Sequence, residues 1–295
     1  MRPGRVVARV SAPALFVCSG LAQYGGAALA VGLFATIPAA GVAWLRILVA
    51  AALLLAWRRP WRLPWSRHDL VLAAAFGVAL GVMNVAFYVA IDHLPLGTAV
   101  AIEFVGPVAV AAVTGSGWRE RSGIGLAAIG VVLLAGVTIR SDAPGAAVGL
   151  TAIGVAAAAW AAYILLGRMV AVRGDGVTRL SVAMAVAALV GTPFLAARSA
   201  PVLGEWRLVA AVIGVAVLSS VLPYAVEQVV LRRVGPAGFA ILLALLPATA
   251  AVVGAVALRQ WPGAVELVGL GLVSVAIGLT RRQRPEPVTA ADAGA

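Results

Sequence analysis

The stretch Pro95-Leu-Gly-Thr-Ala-Val-Ala-Ile-Glu-Phe-Val-Gly-Pro107 has a counterpart later in the chain, Gly235-Pro-Ala-Gly-Phe-Ala-Ile-Leu-Leu-Ala-Leu-Leu-Pro247. A shift of 140 residues places Pro107 on Pro247, and each stretch lies in the fourth of five apolar runs. Because five crossings are an odd number, a second copy enters the membrane upside down relative to the first. The pair therefore predicts two inverted five-helix repeats, an arrangement that places a binding site at mid-membrane between the halves.

The composition requires lipid as the solvent of this chain. Of 295 residues, 63% are hydrophobic and only 11% are charged, whereas soluble domains carry roughly 25% charged residues. About 20 apolar residues span a bilayer as a helix. Ten runs approach or exceed this length: 12–34, 37–57, 70–91, 97–115, 123–139, 147–167, 178–197, 207–231, 236–257 and 263–280.

These runs predict an all-α integral membrane protein with ten transmembrane helices. We expect the first repeat in residues 1–140, the second in 141–282, and a disordered cytoplasmic tail in 283–295. Strands are disfavoured because the runs lack alternation of apolar and polar residues, and an open sheet edge cannot exist in lipid. Pro107, Pro193, Pro223 and Pro247 lie inside predicted helices, where we expect kinks.

Arginine placement predicts the orientation. The chain contains no lysine, and 17 of its 22 arginines fall in segments that share the side of the N-terminus, against four in the opposite loops. By the positive-inside rule both termini are cytoplasmic. The abundance of Ala and Gly is typical of GC-rich bacterial genomes, so the expected location is a bacterial cytoplasmic membrane, crossed many times.

Several function classes are disfavoured by the sequence. The net charge of +11 is spread between apolar runs and forms no basic face, so topology explains it better than nucleic acid. No Walker-type loop, metal-ligand spacing or Ser/His/Asp constellation is present. We therefore expect no cofactor, no metal and no enzyme activity, but a small-molecule substrate and a lipid environment. The oligomeric state stays open.

Three charged residues stand out among those within the predicted spans, where an ionised side chain costs roughly 2.5–3.5 kcal/mol. Arg46 and Glu103 lie at similar depths, so they either form a structural ion pair or bind substrate. In the second case Arg46 binds a carboxylate, and Glu103 binds an amine or carries the coupling proton. Glu227 is the second proton-coupling candidate, although it can also snorkel to the nearby Arg232 and Arg233.

Neutral polar and aromatic residues complete the predicted binding site. Hydrogen-bonding groups and rings that converge from several helices suit a small zwitterion, although each one can equally bond to a neighbouring helix. The substrate-binding candidates besides Arg46 and Glu103 are Gln23, Tyr24, Asn84, Tyr88, Trp160, Tyr163, Tyr224 and Gln228.

The chain resembles a known family in its ten helices, basic tail and paired Gly/Pro motifs. Ser19 to Ala30, Trp44-Leu-Arg46, the Glu-Phe-x-Gly-Pro motif ending at Pro107, and Ala159 to Gly167 are similar to the drug/metabolite transporter superfamily with EamA-type domains. The resemblance is closest to its threonine/homoserine exporter branch. It implies export of small metabolites with proton antiport, and since Leu243 replaces Glu103 in the second half, coupling falls mainly on Glu103.

From these observations we expect a secondary transporter that exports a small polar metabolite by alternating access coupled to protons. The favoured substrate is a neutral amino acid such as threonine or homoserine. Two alternatives remain open. One is an exporter of drugs or amphipathic metabolites, which requires a more apolar cavity, and the other is a membrane scaffold or sensor that transports nothing.

Overall fold

Helices make up almost all of the chain that the computed structural model describes, which comprises residues 11–114, 118–140, 144–171, 176–223, 226 and 242–280. Six long helices stand out by length and hydropathy. Their bounds are α1 Ala12–Leu33, α2 Ala39–Arg58, α3 Arg67–His93, α5 Trp118–Arg140, α6 Ala146–Ala171 and α7 Gly176–Ser199.

Four apolar helices are shorter or interrupted. They are α4, in two segments Leu96–Glu103 and Val105–Thr114; α8, Trp206–Ala216 with a π-helical continuation Val217–Val221; α9, Leu246–Leu258; and α10, Ala264–Thr280. Within the described residues, the prediction of an all-helical chain with ten helices is therefore confirmed. The predicted spans 207–231 and 236–257 lie partly outside those residues.

The helix boundaries follow from local chemistry. Helix α2 ends where Arg59 adopts the left-handed conformation, with φ of 47°, and a short 3₁₀ turn, Pro60–Arg62, then leads into the next helix. Ser66 and Asp69 form a capping box at the start of α3, in which each side chain bonds the other residue's backbone N–H. This turn keeps the α2–α3 hairpin tight.

Pro107 and Pro247 do not kink continuous helices. Helix α4 is interrupted at Phe104, and Pro107 lies in the first turn of its second segment. Helix α9 begins at Leu246, so Pro247 is in its first turn. A first-turn proline costs little because the missing N–H would have no intrahelical partner there. Pro193, in contrast, lies inside α7 as expected.

Helices from the two halves of the chain pack against one another. Helix α3 packs mainly on α6 and α7, α5 on α10, α2 on α7, and α9 on both α4 and α1. Helix α8 fits against α1 and α2. Two polar contacts join the halves at one end of the bundle. Arg179 of α7 pairs with Asp69 at 2.9 Å, and Arg58 donates to the Thr178 hydroxyl. We call this the basic end.

The outer surface has the character of a lipid-facing surface. Large apolar side chains lie exposed along the helices, such as Val132 at 69%, Phe194 at 72% and Val256 at 74%. Tryptophans Trp57, Trp61, Trp118, Trp206 and Trp261 are exposed near helix ends, as interfacial residues are. Trp44 is instead buried, and its indole N–H donates to the Ala188 carbonyl of α7.

Candidate functional site

Arg46 lies in the interior, in the middle of α2, with only 8% of its surface exposed. Its Nη1 donates to the backbone carbonyl of Ser219 in α8 over 3.5 Å, a long hydrogen bond. Its guanidinium carbon also lies 4.8 Å from the centroid of the Tyr88 ring in α3. A cation over an aromatic face is attracted by the ring's quadrupole, so three helices hold this charge.

The Ser219 carbonyl belongs to the π-helical turn of α8, Val217–Val221. A π turn widens the helix by one residue and releases a backbone carbonyl from its regular partner, and such turns are frequent at functional sites. Ser219 also donates from its hydroxyl to the Gln23 carbonyl of α1 over 2.9 Å. A Cβ on Gly26 would collide with that hydroxyl, so the glycine allows α1 and α8 to approach closely.

Three buried polar side-chain atoms in the described residues have no hydrogen-bond partner: Ser19 Oγ, Arg46 Nε and Tyr88 Oη. Leaving such a group unsatisfied costs roughly 1–3 kcal/mol, and a folded protein rarely does so without a reason. Arg46 and Tyr88 are in direct contact, and Ser19 lies one helical turn from Gln23. The atoms of Arg46 and Tyr88 therefore mark a place where α2, α3 and α8 leave polar capacity for a ligand.

Glu103 ends the first segment of α4, immediately before the interruption at Phe104. It is half-buried, and its carboxylate interacts electrostatically with Arg46. However, α2 and α4 share no extensive contact, and no ion pair within 4 Å joins the two residues in the part of the chain described here. Within the described residues, the structural ion pair that the sequence allowed is therefore not formed.

Trp160 lies beside this interruption. Its ring meets that of Phe104 edge to face, with 4.6 Å between centroids. Helix α6 comes close here because Gly106 faces the backbone carbonyl of Ala157, with no room for a Cβ. Trp160 is thus next to the residue that follows Glu103, where it can cover a ligand held by the carboxylate.

The other predicted residues are distributed around this centre. Asn84 is buried one turn from Tyr88 and donates to the Leu80 carbonyl over 2.8 Å, so its amide oxygen still accepts. Tyr24 is buried in α1, next to Gln23. Tyr163 stacks on Phe76, with centroids 4.5 Å apart, in a separate apolar cluster of α2, α3, α6 and α7. Tyr224, Glu227 and Gln228 lie outside the described residues.

Sequence reasoning missed Ser19 and Ser219. A serine in an apolar helix is an ambiguous signal because its hydroxyl can bond the preceding turn of its own helix. The pair Ser219-Ser220 in an otherwise apolar run was the available clue, but nothing in the sequence announces a π turn. The described residues contain no group of three His, Cys, Asp or Glu side chains that could hold a metal ion.

Comparison with known proteins adds independent information. Residues 147–282 match the EamA-like transporter family. Over 263 residues the chain is 34% identical to the threonine/homoserine exporter RhtA of Escherichia coli strain K12. The aligned region covers 89% of this chain and 88% of that protein. The threonine/homoserine exporter RhtA of Salmonella typhimurium strain LT2 gives the same identity and coverage. One protein crystal structure superposes with a TM-score of 0.56 at 17% identity, over 92% of this chain and 99% of that chain, which shows a shared fold.

Proposed function

The chain belongs to the EamA-like transporter family, in the branch of the threonine/homoserine exporters, and we propose that it exports a small neutral amino acid by proton antiport. It is a transporter and not an enzyme, and it crosses a bacterial inner membrane many times. The substrate we propose is threonine or homoserine, which are the compounds named for its relatives.

The observation that carries this proposal is the state of the Arg46 guanidinium. Nη1 is occupied by the Ser219 carbonyl, while the edge formed by Nε and Nη2 bonds to no described residue. Two parallel N–H groups on one edge match the two oxygens of a carboxylate, which they bind as a bidentate pair. A buried cation in this condition supports the binding of a substrate carboxylate.

Glu103 supplies the opposite charge. Because it interacts with Arg46 through space without pairing directly, each charge remains available to a ligand. A zwitterion has its carboxylate and ammonium at opposite ends of one carbon, so it satisfies both residues at once. The arrangement supports an amino acid with carboxylate on Arg46 and ammonium near Glu103, beneath the Trp160 ring.

Glu103 is also our candidate for the proton-coupling site, with Glu227 as the second candidate. A single carboxylate that binds either a substrate ammonium or a proton makes the two events mutually exclusive, which is the minimal requirement for antiport. A guanidinium does not lose its proton in proteins, so an arginine is unsuited to carry the exchanged proton. We therefore assign the exchange to Glu103.

Alternating access requires two halves that can move against each other, and we propose that residues 1–140 and 141–282 are inverted repeats. Helix-packing partners support this, because exchanging each helix for its equivalent in the other half, five positions away, turns one contact into another. The contact of α3 with α6 corresponds to that of α8 with α1, and the contact of α1 with α9 to that of α6 with α4. Gly130 and Gly269 face each other where α5 crosses its counterpart α10. The interruptions before Pro107 and Pro247 also correspond, and discontinuous helices at matching places mark transporter binding sites.

We further propose that the basic end faces the cytoplasm, together with both termini. The loop after α2 carries Arg58, Arg59 and Arg62 with the exposed Trp57 and Trp61. Such a segment suits the anionic inner surface of a bacterial membrane. The predicted disordered tail, residues 283–295, lies outside the described residues.

A counterflow assay tests the proposed function. Purified protein is reconstituted in liposomes loaded with one unlabelled amino acid, and uptake of labelled threonine is followed. We expect uptake only with threonine, homoserine or a close neutral analogue inside. If only drugs or amphipathic compounds drive exchange, the chain is an exporter of another class, and if no solute drives it, the chain is a scaffold or sensor.

A further inference from the structure

Tyr88 is a fully buried large side chain of the site, and its hydroxyl bonds to no residue in the described part of the chain. The ring has no measurable exposure. It is fixed by tilted contacts with Phe34 and with the adjacent Phe87, each at 6.1 Å between centroids. Arg46 covers one face of the ring. The hydroxyl is therefore held at a defined position and cannot rotate away to find a partner.

An apolar side chain would serve packing equally well in this position. Phenylalanine would keep both ring contacts and the contact with Arg46, without the cost of an unsatisfied hydroxyl. Tyr88 thus carries one atom, Oη, that the described packing does not use. Because this atom belongs to the ring that contacts Arg46, a ligand held by the guanidinium lies within reach of it.

We propose that Tyr88 determines the specificity of the transporter by hydrogen bonding a hydroxyl group on the substrate side chain. This inference rests on the proposed function, since it assumes that Arg46 binds the substrate carboxylate. A substrate side chain that packs against Oη keeps water away from this atom, so the side chain must itself supply the hydrogen bond. A side chain with a hydroxyl does so, whereas an aliphatic side chain of the same shape leaves Oη buried and unpaired.

The expected discrimination is large. A site built to hydrogen bond a substrate hydroxyl rejects the analogue without it far more strongly than an apolar pocket distinguishes two side chains by size alone. Threonine and valine are a matched pair because they differ only in a hydroxyl in place of a methyl group. We expect threonine to be preferred to valine by about 100-fold or more.

Competitive counterflow with Tyr88→Phe tests the proposal. Uptake of labelled threonine is measured against rising concentrations of unlabelled threonine or valine. The half-inhibitory concentrations should differ by about 100-fold in the natural protein and by about tenfold or less in Tyr88→Phe. Thr138→Val is the control, because it also removes one buried hydroxyl, which donates to the Leu134 carbonyl within α5, a helix that contributes no residue to the site, and it should keep the natural ratio.

Three results separate the possible failures. An active Tyr88→Phe protein with the natural ratio overturns the role of Tyr88 and leaves the proposed function intact. A natural protein that exchanges no amino acid overturns the proposed function and this inference with it. If Tyr88→Phe does not fold, thermal stabilisation of the natural protein by each compound decides, and equal stabilisation by valine and threonine overturns the inference.

Discussion

The Arg46 guanidinium lies over the Tyr88 ring, 4.8 Å from its centroid, and the two residues contribute two of the three buried polar atoms that lack a partner in the described chain. The contact joins α2 to α3, and the Ser219 carbonyl adds α8 on another side of the same cation. Buried charges are costly in a membrane unless they are paired or functional. This cation is stabilised by its neighbours but not neutralised by them, which is the condition expected of a binding site awaiting an anion.

Arg46→Lys should impair substrate binding although it preserves the charge. An ammonium cannot offer two parallel N–H groups to a carboxylate, and it stacks less well on an aromatic ring. We expect the KM of threonine counterflow to rise by about tenfold or more. The control is Arg207→Lys, because Arg207 contacts the exposed Trp206 ring at the start of α8, away from the site. Equal KM values for the two variants would remove Arg46 from the site.

Glu103→Gln should separate exchange from proton coupling. The amide keeps the size and the hydrogen-bonding capacity of the side chain but cannot bind a proton. We expect threonine counterflow to persist with reduced affinity, while accumulation driven by a pH gradient falls to background. Glu266→Gln is the matched control, since Glu266 caps a turn near the start of α10, where its carboxylate accepts from the Gly263 N–H. Undiminished pH-driven transport in Glu103→Gln would exclude Glu103 from coupling.

Gly106→Ala should destabilise the contact between α4 and α6. Its new methyl group would meet the backbone carbonyl of Ala157, which cannot move aside as a flexible side chain can. We expect this overpacking to lower the stability of the protein by about 1–3 kcal/mol. Gly136→Ala in α5 has open space around the new methyl group and serves as the control. Thermal unfolding in detergent measures both, and equal midpoints would contradict the close approach.

Cysteine accessibility tests the proposed orientation. Cys18 is replaced by Ser, which leaves a background without cysteine. Leu63→Cys lies in the arginine-rich α2–α3 loop, and Leu203→Cys lies between α7 and α8, where Leu203 is 82% exposed. An impermeant maleimide applied to intact spheroplasts should label the cysteine at position 203 and spare that at position 63. The reverse labelling pattern would place both termini outside.

Much of the fold could be predicted from the sequence because lipid permits few alternatives. Charge placement and the length of the apolar runs determine the number of helices. The predicted bounds of α1 and α2 agree with the structure to within a few residues. The interruption of α4 was harder to predict from the sequence. Pro107 suggested a kink within a continuous helix, whereas the second segment of α4 begins two residues ahead of it, at Val105.

The site could be predicted only in part. Arg46 and Glu103 were identifiable because a charge within an apolar run is costly wherever it faces. Whether they pair directly was not predictable, since similar depth does not determine which helices are neighbours, and α2 and α4 are not packed extensively together. The Ser219-Ser220 pair was a clue, but Ser219 contacts Arg46 through its backbone carbonyl, which every residue has, so this contact could not be predicted from the sequence.

The most direct measurement of the central claim compares threonine with threoninol, in which a hydroxymethyl group replaces the carboxylate. Both compounds compete for labelled threonine counterflow in the natural protein. If Arg46 binds the carboxylate through its Nε edge, threonine competes and threoninol fails to compete even at about a hundredfold higher concentration. If threoninol competes as well as threonine, Arg46 does not bind the substrate carboxylate and the account given for this site is wrong.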